Sequence, residues 1–229
     1  MKKRGMQHVE FIVAFVLFAG FLIFALYFFS PIRGDRVVDS TLFYTMDEIA
    51  KNVSTMLETF SVSLDQSVVD EKIAIPLVRE NVGIMAEDSV GNELEAQITP
   101  GFVNINRRNQ RFFVIMFSEE FDNGEVGGAI RLNEKNYSIS SSDKRDVLSE
   151  KEFNELVVKY GTDEGYQKLK EDFHLSKRAN FGFSLIFSDE KIDAQRTVPE
   201  GLEIFSDSKR YEVVRKNSIE FADLEVRVW

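Results

Sequence analysis

From residue 11 to residue 29 the chain runs through 19 positions without a charge, all of them Phe, Ile, Val, Ala, Leu, Gly or Tyr. A helix of that length is about 28 Å long, close to the ~30 Å hydrocarbon core of a bilayer. The pattern therefore predicts an apolar transmembrane or spine helix over 6–29, closed by the breakers Pro31 and Gly34. Beyond it Leu42, Met46, Ile49, Val53, Met56 and Phe60 alternate steps of four and three. That stripe predicts an amphipathic helix over 30–60 packing on a head, with Asp39 or Ser40 capping its start.

After residue 60 the spacing changes to short runs rich in β-branched and aromatic residues. Strands are predicted over 72–78, 83–87, 93–99, 102–106, 111–117, 129–132 and 137–142. The run 112–117 is apolar throughout, as in a strand covered on both faces. Asp122-Asn123-Gly124-Glu125 predicts a hairpin turn, because Asn-Gly takes up positive φ readily. A helical interlude follows over 149–175, opened by Ser149 with Glu152 three residues on in a capping box. Strands return over 180–188, 202–205, 211–214 and 219–229. The expected fold class is α+β: a long N-terminal apolar transmembrane/spine helix, then a mainly antiparallel β ectodomain over 61–229 with a short helical insertion. With no internal repeat or low-complexity linker, one head domain is the economical division.

Charge adds an orientation. The 229 residues carry 28 Lys and Arg against 38 Asp and Glu, a net −10. Residues 1–29 sum to +2, which leaves −12 on the remainder. Lys2, Lys3 and Arg4 precede the apolar run, so the positive-inside rule places the N-terminus in the cytoplasm and the C-terminal domain outside. The expectation is a single-pass protein of the cell membrane, with membrane lipid as a partner. A head this acidic repels nucleic acid, and no sustained basic stretch offsets it. Arg107, Arg108 and Arg111 form the densest basic cluster and read as a charged hairpin end.

The start of the chain is narrower in meaning. A secretory leader places its cut site after the apolar segment; here the candidate site, Gly5–Met6, lies before it. Lys3-Arg4-Gly5 is followed by Met6-Gln7-His8-Val9-Glu10-Phe11, so Glu10 is the fifth residue counted from Met6. This arrangement resembles the class III signal peptide of type IV pilin-like proteins, especially archaeal ones. The resemblance covers about 30 residues, and Met6 stands where many archaeal relatives have Gln. It implies a leader over 1–5, removal by a prepilin peptidase, and a structural role in a type IV pilus-like surface filament, through self-association or other pilin-like subunits. It also implies a partner for Glu10, since charges at a helix centre cost ~2.5–3.5 kcal/mol on insertion scales. Cutting at Gly5 frees an ammonium on Met6, and the resemblance pairs that amine in one copy with Glu10 of the next. Phe11, Phe15, Phe18, Phe21, Phe24 and Phe28 wind around the helix with a mean step near 3.5 residues.

The search for chemistry returns little. There is no cysteine and there are two histidines, His8 and His174. No nucleophile elbow, phosphate-binding loop, dinucleotide fingerprint or H-E-x-x-H is present. No cofactor, metal site or enzymatic activity is expected. Asn52-Val53-Ser54 and Asn136-Tyr137-Ser138 match glycan acceptor sites. Two further classes stay open: an uncut single-pass anchor bearing a binding, adhesion or sensory ectodomain that does not polymerise, and an extracytoplasmic enzyme.

Overall fold

The computed structural model describes the backbone of residues 4–28, 32–77, 79–80 and 82–229, and the side chains of 11–25, 40–77, 79–80 and 82–229. In chain order come α1 (Arg4–Phe28), α2 (Ile32–Asn52), β1 (Ser54–Leu64), β2 (Lys72–Ile75), β3 (Gly83–Asp88), β4 (Glu93–Leu94), β5 (Ala96–Thr99) and β6 (Phe102–Asn106). Then follow β7 (Phe112–Ser118), β8 (Ile130–Arg131), β9 (Tyr137–Ser149), α3 (Glu150–Gly161), α4 (Asp163–Asp172), β10 (Phe181–Ile186), β11 (Lys191–Ala194), β12 (Phe205–Arg215) and β13 (Ser218–Val228).

The molecule is mainly β. One nine-stranded sheet runs β11-β10-β13-β12-β9-β1-β7-β3-β4, and a second, four-stranded sheet runs β5-β6-β2-β8. Pairing is antiparallel except at β12–β9 and β2–β8. Register places Leu148, Val213, Phe60 and Phe117 on one face of the large sheet, and Leu57, Val147 and Val214 on the other. Two cores share the first face. At one end α2, α3 and α4 cover β10, β12 and β13, burying Phe153, Tyr160, Phe173, Phe181 and Phe183. At the other end the four-stranded sheet covers β1, β3 and β7, burying Ile73, Ile105, Phe113 and Ile115. A smaller cluster of Leu57, Met85, Met116 and Phe121 lies on the reverse face. β7 is thus apolar on both sides because both sides are packed. The two ends of the sheet meet at a narrow seam: β12 and β9 pair only at Val213–Leu148 and Val214–Ser149.

Three expectations are corrected. The first concerns the membrane. Among the described residues no helix is long and apolar enough to cross one. The transmembrane-led α+β fold, the single-pass location and the inside–outside topology therefore fall, and a β-rich protein with a large curled sheet takes their place.

The second correction is the helix expected over 30–60, which ends at Asn52, with β1 beginning at Ser54. The helical stripe holds as far as Val53. From there Thr55, Thr59, Phe60 and Val62 favour extended backbone, and Phe60, Val62 and Leu64 are buried at alternate positions. Pairing with β7 and β9 on its two sides decides the outcome.

The third is the Asn-Gly hairpin, which does not form. Asn123 instead uses its side chain as a surrogate backbone, accepting from Ile98 N at 2.6 Å and donating to Ile98 O at 3.2 Å. Gly124 is needed for close approach: a Cβ there would lie 2.6 Å from the Ala96 carbonyl oxygen. The tight left-handed turns occur at Arg108-Asn109, with φ +45° and +65°, and at Lys216-Asn217, with φ +46° and +60°. The helical interlude follows its sequence signals: Ser149 accepts from Glu152 N at 3.0 Å, and Thr162 caps α4 through Gly165 N.

Candidate functional site

Three places in the molecule could carry function. The first is the surface of α1. Phe11, Phe15, Phe18, Phe21 and Phe24 are each more than half exposed, as are Ile12, Val16, Leu17 and Ile23. No described atom outside the helix's own backbone lies within 4 Å of where a Cβ on Gly20 would stand, so nothing among the described residues packs closely there. Gly5, Met6 and Glu10 fall on the helical backbone of α1, and Phe28 near its end. The side chains of Met6, Glu10 and Phe28 lie outside the described residues, so the Met6–Glu10 pairing does too.

The second place is a trough at the foot of α2. Thr41 and Tyr44 come from α2, His174, Leu175, Ser176, Arg178 and Ala179 from the turn after α4, Glu203 and Phe205 from the approach to and start of β12, and Val228 and Trp229 from the end of β13 and the residue after it. It consists of two hollows of about 330 and 370 Å³ that share Thr41, Ser176 and Ala179. Local geometry keeps its walls in place. His174, at φ +50°, turns the chain out of α4. Asn180 and Trp229 exchange both backbone hydrogen bonds, at 2.9 and 3.0 Å. The Trp229 ring lies over Gly182, 3.6 Å from where a Cβ would be.

The third is the buried guanidinium of Arg215 at the end of β12, which is 5 % exposed. It donates to Asp189 at 2.9 Å and to Glu220 at 3.4 Å, with Glu190 and Glu150 also in ion-pair contact. The hydrogen bond from Arg215 holds the Asp189 carboxyl below the usual carboxylate range. Phe187 closes the far side, its ring centroid 4.5 Å from the guanidinium carbon. A hollow of about 650 Å³ opens beside Glu150 between α3 and Lys216. One arginine tying α3, the β10–β11 turn and the β12–β13 hairpin together is a structural knot: its charge is already matched by carboxylates, so it is not available to a ligand.

Two other buried polar groups are equally committed. Lys170 donates to the Lys177 carbonyl at 2.9 Å beneath Tyr166, and burial lowers its pKa. Arg107 donates to the carbonyls of Asp70, Gln110 and Val68. It therefore clamps the end of the β6–β7 hairpin from inside, a role that the basic cluster alone did not reveal. Among the described residues no group of three or more His, Cys, Asp or Glu is placed to hold a metal ion. Compared with known proteins, the chain matches no family model, no curated protein and no solved structure.

Proposed function

We propose that this chain is a pilin-like structural subunit of an archaeal type IV pilus-like surface filament, processed between Gly5 and Met6 by a prepilin peptidase. The observation that carries the reading is the apolar surface of α1, where five phenylalanines stand more than half exposed. Burying a Phe side chain is worth about 1.5–3 kcal/mol, so covering five offers on the order of 10 kcal/mol before the entropic costs of association. A helix apolar on every side is normally a buried one. Other copies of the same chain are the cover this reading supplies. The spacing of Gly5 and Glu10 supports it from the sequence side, since cutting there frees a cation four residues from the acid.

N-terminal mapping of the assembled protein tests the reading: the mature chain should begin at Met6, and Gly5→Leu should abolish both the cut and the polymer. A start at Met1 or Lys2 in assembled material, or a Gly5→Leu protein that polymerises like wild type, would overturn it.

A further inference from the structure

We infer that β11, the last strand of the nine-stranded sheet, pairs antiparallel with β11 of a second copy of this chain about a two-fold axis, in one register. The inference goes beyond the filament reading and takes nothing from α1.

The β10–β11 turn settles which backbone groups are left over. Phe187 N donates to Glu190 O at 2.8 Å, so these two residues form a hydrogen-bonded pair. Along an antiparallel ladder such pairs alternate with non-bonded ones. Leu185–Ile192 is then the next bonded pair. Lys191 and Asp193, opposite Ile186 and Ser184, therefore aim their N–H and C=O groups away from β10. β11 ends the sheet, and no described hydrogen bond takes up those groups. An open strand edge of this kind is a template for another strand.

Charge says which strand fits. The chain carries a net −10, so two copies repel over most of their surface. The edge Lys191-Ile192-Asp193-Ala194 is neutral, with its cation and anion two places apart on one face. Their side chains are 41 % and 42 % exposed. Ile192 and Ala194 turn the other way, toward the helix-clad core.

A ladder closes only where outward backbone meets outward backbone, which sets 191 and 193 against 191 and 193. Two such registers place Lys191 on its own copy or Asp193 on its own copy, like charge against like. The third sets Lys191 against Asp193 of the second copy twice over, with Ile192 facing Ile192 between them. Within the chain Asp193 uses Oδ1 for Ser184 Oγ, Gln195 Nε2 and Lys191 Nζ. Its Oδ2 is the oxygen that Lys191 of the second copy meets. A two-fold axis makes the pair self-complementary and closed, so it does not grow into an open array.

The chain has no cysteine, so a disulfide reports the register directly. Ile192 would face its copy in a non-bonded pair, with Cα atoms about 4.5 Å apart and within disulfide reach. In detergent, full-length Ile192→Cys chains should oxidise to dimers about 10-fold faster than full-length Val90→Cys chains. Val90 is exposed near the opposite edge of the sheet. Lys191→Asp or Asp193→Lys, added to Ile192→Cys, should each remove that advantage alone and restore it when the two are mixed. Only the mixed pair opposes unlike charges throughout. In the wild-type chain, the amides of Lys191 and Asp193 should exchange more slowly as concentration rises, a readout that needs no variant to fold. Ile192→Cys dimers no faster than Val90→Cys, or amide exchange indifferent to concentration, would overturn the pairing. So would charge variants that crosslink as well alone as mixed. None of these outcomes bears on the cut at Gly5, so the pairing and the filament reading fail separately.

Discussion

Helices α1 and α2 follow one another along the chain and meet their surroundings in opposite ways. In α2 the side chains of Leu42, Met46 and Ile49 are buried against β12 and β13, while Asp47 and Lys51 point to solvent. In α1, between residues 11 and 25, there is no polar side to turn outward, and most of its large side chains are exposed. The contrast separates two jobs that a helix can do. The stripe on α2 completes the head, so its energy is spent within one molecule. The surface of α1 adds little to that core, and in the filament reading its energy is spent between molecules.

The comparison can be broken from either side, and the largest effect is expected on α2. Ile49 is fully buried, so Ile49→Ala should cost about 2–4 kcal/mol of head stability. A urea midpoint indistinguishable from wild type would mean that α2 is not part of the core.

A smaller effect is expected at Glu58, which pairs with Arg79 through two hydrogen bonds where the guanidinium lies over Phe60 and Phe117. Both side chains are partly exposed, so Glu58→Gln should cost about 1 kcal/mol at neutral pH. The Arg79 hydrogen bond holds the Glu58 carboxyl below its usual 4.5. A depressed acid stabilises above its unfolded pKa and stops doing so as pH falls through the folded one. Asp189 beside Arg215 acts with the same sign. Wild-type stability should therefore decline below about pH 4.5, and Glu58→Gln should decline less steeply in urea melts at pH 7 and pH 3. Equal slopes would remove Glu58 from the account.

The smallest effect on the head, and the sharpest for the contrast, is Phe18→Ser. The urea midpoint of the head should stay within about 0.5 kcal/mol of wild type, while sedimentation should show loss of assembly. A destabilised head would mean that α1 is packed on its own molecule after all.

How far the sequence could be read follows from what each residue pattern encodes. Ser149 and Thr162 announce their helices because a cap is local chemistry, settled within four residues. The core strands at 83–87, 102–106 and 111–117 were legible for a similar reason, since their apolar runs lie between plain turn residues. The end of α2 was not legible from apolar spacing alone. Met56 and Phe60 continue the helical step, and only pairing with β7 and β9, strands more than 45 residues away in sequence, turns Ser54–Leu64 into a strand. Asn123-Gly124 misled because its amide bonds a distant backbone rather than its own turn. In the separate β12–β13 hairpin the turn falls at Lys216-Asn217, and Asn217 was the signal available for it. The trough could not be read at all. It is assembled from α2, a helix exit, a strand start and the last residue of the chain, and no local pattern records that meeting.

The narrow seam has a mechanical consequence. Where β9 and β12 touch, two ladder rungs and the Arg145–Glu212 pair join the strands, and Asn217, which accepts from Asp122 N, and Val214, packed with Leu57 and Val147, bridge the same line. A shell joined in this way does not fail evenly when strained. Opening is expected first where the ladder is shortest, and slow deuterium uptake should begin along Phe205–Glu212 rather than in either core.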